Sequence, residues 1–320
     1  VAAPALNPAQ LSPRTSTSPP AILRRALELW HLTSLDAPSV AITWTLAFAA
    51  AAQIHLPWQP VLAIALAAWS VYILDRIFDA RKEIWSPQVS LLRPGSGSLR
   101  PRHFFHWNHR GILLPLATAS ALAAIFLFGQ SMLPSARPRN ALLALAALGY
   151  FAAIHNPWRP ANPRSRISSL GMRKHGLPRT GLHKVRPPKE LLVGILFTLA
   201  CAAPTWARTN PAQQPQLILP ILALIALAWL NCHAIEAWES AAPPRIAIRR
   251  LALPLAGLIL LSAGVSANSP RRLALFLCAA VSAAALAALD RTRRQIPPTL
   301  LRAGADLVLL TPLAIVYLFR

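Results

Sequence analysis

Acid is what this chain lacks most. Its 320 residues hold 10 Asp and Glu against 32 Lys and Arg, a formal net charge of +22. Charged residues of either sign make up 13%, about half the share usual in a soluble domain. Cysteine is also scarce. Cys201, Cys232 and Cys278 lie in separate apolar stretches with no metal-ligand spacing. That excludes a disulfide framework or a zinc module and leaves them as small core residues. The first twenty residues, rich in Pro, Ser, Thr and Ala, lack the layout of a signal peptide and read as a disordered tail.

Apolar sequence is abundant. Hydrophobic residues make up 55% of the chain, in long runs of Leu, Ala, Ile and Val. Runs of that length predict transmembrane helices. Nine candidates stand out, at 38–56, 59–79, 110–130, 139–156, 189–207, 215–236, 249–268, 271–290 and 302–319. The expectation is an all-α polytopic membrane protein, residues 21–320 forming one nine-helix bundle. Residues 21–33 have helical periodicity with Arg24, Arg25 and Glu28 on the polar side. They predict an interfacial helix feeding the first span.

With the N-terminus in the cytoplasm, most Lys and Arg fall on inner segments, including the cluster from Arg159 to Lys189, and Arg137, Arg139, Arg208, Arg271, Arg272 and Arg320 fall on the outward ends. The positive-inside rule favours that orientation, and anionic lipid explains most of the excess. Nucleic acid does not, because the bases are dispersed over membrane loops instead of being built into a domain. The acids also gather on the inner side, which topology does not require. A polar cavity at the inner leaflet would.

Two acidic pairs carry the chemistry. Asp75 and Asp79, in Tyr72-Ile-Leu-Asp75-Arg-Ile-Phe-Asp79, are four apart and share a helix face. Such a pair at the end of an apolar segment is costly unless a cation or basic partner sits between its members. Glu236 and Glu239 close a second apolar segment. Both pairs are expected to face one inner-side cavity and hold divalent metal. The inner loop before the third span repeats histidine every third position, at His103, His106 and His109. It reads as a metal site, a phosphate-contacting loop or a membrane-interface segment. The longest inner loop, 157–188, is Arg-rich and nearly free of acid; it is a flexible insertion or a lid ordered by an anionic ligand.

An isoprenyl diphosphate would fit these features. Its charged head needs Mg2+ held by carboxylates and help from Arg and Lys. Its tail needs an apolar bundle that keeps water off an allylic cation.

At these residues the chain resembles the UbiA superfamily of intramembrane prenyltransferases. Val71-Tyr72-x-x-Asp75-x-x-x-Asp79 is similar to that family's Asn-Asp-x-x-Asp-x-x-x-Asp, with the last two acids in register and the first two positions replaced. Asn231-Cys-His233-Ala-Ile-Glu236-Ala-Trp-Glu239 looks like its second acidic signature, with Glu for Asp and altered spacing. Asp36-Ala-Pro38 resembles the family's opening of the first helix. His183-Lys184-Val-Arg186-Pro-Pro-Lys189-Glu190 resembles the basic run before a fifth helix that here contains Gly194. The resemblance covers roughly residues 22–320. It implies nine transmembrane helices and Mg2+-dependent transfer of a prenyl group from a polyprenyl diphosphate to an apolar or aromatic acceptor. Asp75 and Asp79 would be catalytic and hold metal, with Glu236 and Glu239 completing the metal site. Lys184, Arg186, Lys189, Tyr72 and Asn231 would bind substrate. The expected location is a bacterial inner membrane, with membrane lipid as the surroundings.

Other readings stay open. Asp75 with Arg76 and Arg81 could be a structural ion pair, and Glu236 and Glu239 could face a loop beside Arg245. Lys184, Arg186 and Lys189 could serve topology alone. Asn231 could hydrogen-bond a neighbouring helix, and Tyr72 could be an interface residue. Asp290 and Asp306 could pair with Arg291, Arg293 or Arg302. Phosphatidyl-group transferases need Asp-Gly-x-x-Ala-Arg, and residues 75–81 have no Gly. A transporter would place ionisable groups or broken helices near mid-membrane. A prenyl-lipid-binding pseudoenzyme would keep the cavity and lose turnover.

Overall fold

The computed structural model describes residues 21–84, 101–155, 189–239, 247–264, 266 and 268–318. The N-terminal tail and loop 157–188, with Lys184 and Arg186, lie outside the described residues, as do Arg245 and Gly95.

Among the described residues the structure is helical throughout. The α-helices are α1 (Ala21–Leu32), α2 (Asp36–Ala51), α3 (Trp58–Ile84), α4 (Pro101–Asn108), α5 (Arg110–Ser131), α6 (Arg137–His155), α7 (Lys189–Arg208), α8 (Ile218–Glu239), α9 (Arg249–Gly264), α10 (Pro270–Thr292), α11 (Pro298–Leu307) and α12 (Leu313–Leu318). Six stretches are long and apolar enough to cross a membrane: Trp58–Ile84, Arg110–Ser131, Lys189–Arg208, Gln214–Glu239, Pro270–Gln295 and Pro298–Leu318. This is an integral membrane architecture.

The three remaining apolar segments are also helical but fall short of that standard. Helices α2 and α9 have 16 residues each, roughly 24 Å at 1.5 Å per residue, against a hydrocarbon core of about 30 Å. Helix α6 opens on Arg137-Pro-Arg139-Asn140, which dilutes its apolar run.

Helix α2 lies at the centre. Trp44 and Phe48 are fully buried and stack at a tilt with ring centroids 6.1 Å apart. Leu224, Leu227 and Leu230 of α8 and Leu275, Phe276 and Leu286 of α10 close round them in one core cluster. Helices α7 and α8 pair closely, as do α9 with α10 and α3 with α5. Helix α1 packs along α11, and α12 packs on α2.

The last span is broken. After α11 comes a 3-10 turn, Val308–Leu310, and Thr311-Pro312 precedes α12. Proline cannot donate to the helical ladder, so carbonyls are freed there. They find partners inside the protein, as a membrane interior requires. Trp44 Nε1 donates to Leu309 O at 2.9 Å, and Ser282 Oγ donates to Val308 O at 2.6 Å.

The outer surface is apolar. Leu142, Leu145 and Leu148 of α6 and Leu122, Ile125 and Phe126 of α5 are exposed. Helix α6 has no buried residue. These helices present themselves to lipid, where apolar exposure carries no penalty.

Candidate functional site

Alternating helix direction delivers the polar residues to one end of the bundle. Helices α3, α6, α8 and α10 finish there, and α2, α7, α9 and α11 start there. Ion pairs then link these ends to one another.

Asp75 and Asp79 sit in the last turns of α3 and are 50% and 43% exposed at the side chain. His155, at the end of α6, donates from Nε2 to Asp75 Oδ1 at 3.0 Å. Asp75, Asp79 and His155 each offer a ligand atom, and these atoms lie within 4.8 Å of one another. The imidazole is positioned by aromatic rings. Its centroid is 4.4 Å from Phe151 and 5.1 Å from Phe78. Lys82 ties the same corner, with Nζ 3.7 Å from Asp79 and donating to Ile154 O at 3.1 Å.

The second acidic pair divides. Glu236 lies 3.3 Å from Lys189 Nζ at the start of α7. Glu239 is gripped by two guanidiniums. Arg102 of α4 reaches it with both Nη atoms, and Arg302 of α11 donates at 2.6 Å. Glu239 thus fastens α4, α8 and α11 together at this end.

Helix α4 lies over the polar end of the bundle and makes two further attachments. His103 meets Glu83 at 2.5 Å. His106, fully buried, donates from Nδ1 to Arg102 O at 2.8 Å and accepts at Nε2 from Ser34 Oγ, 3.1 Å away. That arrangement fixes its neutral tautomer. His109 only donates to Phe105 O. The three evenly spaced histidines therefore diverge to separate partners. Burial lowers the pKa of His106 to about 4 and also lowers that of His103. Burial brings Arg102 down to about 10, against the pull of Glu239.

Tyr72 and Asn231 lie deeper. Tyr72 carries the Arg76 guanidinium over its ring at 5.4 Å. Asn231 Nδ2 donates to Asp306 Oδ1 at 3.0 Å. Arg76 points inward and approaches Asp36 at 3.8 Å, while Asp75 turns toward His155. Asp290 pairs with Arg293 at 3.3 Å and accepts from Trp238 at 3.0 Å. Of the residues expected from sequence, Asp75 and Asp79 are brought together with a third donor, and Lys189 with Glu236.

His155 and Arg102 escaped the sequence reading, and Arg302, expected beside Asp290 or Asp306, donates to Glu239. The available signal for His155 was its place at the end of an apolar run, one helical turn after Phe151 of the aromatic pair Tyr150-Phe151. For Arg102 and Arg302 no spacing could single them out among so many bases.

No protein-family model, curated protein or solved structure matches the chain. The chemistry therefore rests on the site itself.

Proposed function

We propose that this protein is a UbiA-like membrane prenyltransferase. It moves a prenyl group from a polyprenyl diphosphate to an apolar or aromatic acceptor, with Mg2+, through a nine-span bundle whose N-terminus is cytoplasmic in a bacterial inner membrane. The observation that carries this reading is the group of Asp75, Asp79 and His155 at the inner end of an apolar bundle. Its two carboxylates are half-exposed and supply hard oxygen donors. With His155 Nε2 engaged by Asp75, the carboxylate oxygens are the open donors, and they fit a magnesium ion which keeps several waters and shares substrate phosphates.

Asp75 and Asp79 would hold the ion, which supplies charge neutralisation to a departing diphosphate. His155 orients Asp75 through its hydrogen bond. Lys189, 63% exposed beside Glu236, is free to swing toward an anion at the same end. The apolar helices would sheath the isoprenoid chain and exclude water. Lys184 and Arg186 would add positive charge from the inner loop.

A second reading rests on Glu239. Its engagement by Arg102 and Arg302 favours a protein that binds a prenyl lipid and does not turn it over.

The test uses purified protein in lipid with labelled prenyl diphosphates of several lengths, with and without Mg2+. Mg2+-dependent diphosphate release supports the enzyme. Saturable prenyl binding with no release in any condition selects the pseudoenzyme. Flux of label across sealed vesicles would instead point to a transporter.

A further inference from the structure

A second polar cluster, separate from Asp75 and Asp79, lies inside the bundle. His31 closes α1, Asp36 opens α2, and Asp306 lies near the end of α11. Each offers a ligand atom within 4.8 Å of the others, and all three are buried. We propose that His31, Asp36 and Asp306, with the side-chain carbonyl of Asn231, form a buried site for one first-row divalent cation of the Mn2+ or Zn2+ kind.

The donor set is the first argument. One imidazole nitrogen and two carboxylates suit Mn2+ or Zn2+ better than an all-oxygen cation such as Mg2+. His31 Nδ1 stands 2.7 Å from Asp36 Oδ2 and 4.0 Å from Asp306 Oδ2. The far oxygen of Asp36 is already committed, accepting from the Ala37 amide at 3.0 Å. That contact points Oδ2 at the cluster. A cation entering between His31 and Asp36 would displace the proton they share, sending it to Nε2 or to solvent.

Asn231 supplies the second, independent observation. The residue is 5% exposed, and its amide nitrogen donates to Asp306 at 3.0 Å. Its carbonyl oxygen is buried with no hydrogen-bond partner. A buried orphan acceptor costs about 1–3 kcal/mol. On an amide already bound to a candidate ligand, a cation satisfies it directly.

Open lone pairs are the third argument. Arg76 approaches Asp36 only to 3.8 Å, too far for a good hydrogen bond, so it balances charge without taking the lone pair. Arg302 donates to Glu239 at 2.6 Å and also faces Asp306 electrostatically. A proton shared by Asp36 and Asp306 is the competing occupant of the cluster, and the nitrogen donor with the orphan carbonyl favours the cation. The ion would bind α1, α2, α8 and α11 into one unit.

The test isolates this site from Asp75 and Asp79. The D75N/D79N double variant, purified in lipid and stripped by chelator, is titrated with Mn2+ alone near pH 7.5. The expected result is one Mn2+ per chain, with nitrogen coupling in its electron spin-echo spectrum. Adding His31→Gln should abolish the coupling and weaken binding at least tenfold. Should that variant fail to fold, Asn231→Asp should bind Mn2+ at least tenfold tighter in the same background, because it adds charge to a ligand already in place. No Mn2+ uptake by the folded double variant would overturn the site and assign the cluster to a shared proton. Uptake without nitrogen coupling, or binding unchanged by Asn231→Asp, would overturn it equally.

Discussion

His155 Nε2 lies 3.0 Å from Asp75 Oδ1, bridging 80 residues of sequence and joining the C-terminal ends of two helices. Two apolar segments that sequence treats as separate spans thereby contribute to one polar corner. Asp79 stands one turn beyond Asp75, so the corner has three donors and remains open to water.

Replacing Asp75 by Asn keeps the shape and removes the charge. The expected outcome is loss of Mg2+-dependent turnover on the order of 100-fold, at the upper end of what disturbing a metal site costs. Folding should change little, since the substitution relieves an acidic pair on an exposed surface. Diphosphate release and the melting temperature of the same preparation check both halves.

Glu239→Gln should have the opposite profile. It leaves Arg102 and Arg302, which are 14% and 18% exposed, facing each other without a counter-charge. Charged hydrogen bonds of this kind contribute about 1.5–3 kcal/mol, so a loss of about 2–3 kcal/mol is expected. Hydrogen exchange across residues 101–108 should rise, because the clamp holds α4. Unchanged protection there would show that α4 is held by its other contacts.

Gly194 sets the approach of α7 to α8. An added Cβ would meet Trp229 N at 3.0 Å and Ile225 O at 3.2 Å, both backbone atoms that cannot swing aside. Overpacking costs about 1–3 kcal/mol, against a gain of about 1 kcal/mol in helix propensity. Gly194→Ala should therefore lower the melting temperature. Gly257, which has open space where its Cβ would lie, should show only the gain.

Acid should release α4. The pKa of His106 falls from 6.5 to about 4 on burial, so the docked helix binds fewer protons than the free one between those values. Its contribution is complete above about pH 6.5 and declines as pH falls toward 4. His103 is shifted the same way. A protonated His106 cannot accept from Ser34. Exchange protection of residues 101–108 measured from pH 7 to pH 4 should fall with pH, and His106→Asn should flatten that dependence.

The helices were legible because apolar composition writes them directly. Every apolar segment expected to span is helical among the described residues. How many cross was not legible, because length and end polarity decide it. Helices α2 and α9 stop at 16 residues, and the break at Thr311-Pro312 needs Trp44 and Ser282, far off in sequence, to be tolerable. The site was legible in part. Periodicity places Asp75 and Asp79 on one face, and the structure puts them together. The partner of Asp75 was not legible, because a lone histidine 80 residues away carries no spacing signal. Nor was the division of Glu236 from Glu239. Two acids three apart look like a pair until the guanidiniums of other helices are known. The inward turn of Arg76 was hidden for the same reason, since its attraction to Asp36 depends on how α2 packs against α3.

Helix α6 is held at its last turns by α3, through Asp75, Phe78 and Lys82, and beside α7 by contacts such as Tyr150 to Lys189 O at 3.2 Å. It buries no whole residue, although the His155 side chain is only 6% exposed. One wall of the acidic corner is therefore supported from behind by acyl chains. Bilayer thickness and fluidity become determinants of how far His155 stands from Asp75. The same polypeptide reconstituted in short-chain and long-chain lipid will present two different corners, and the membrane acts there as a component of the protein.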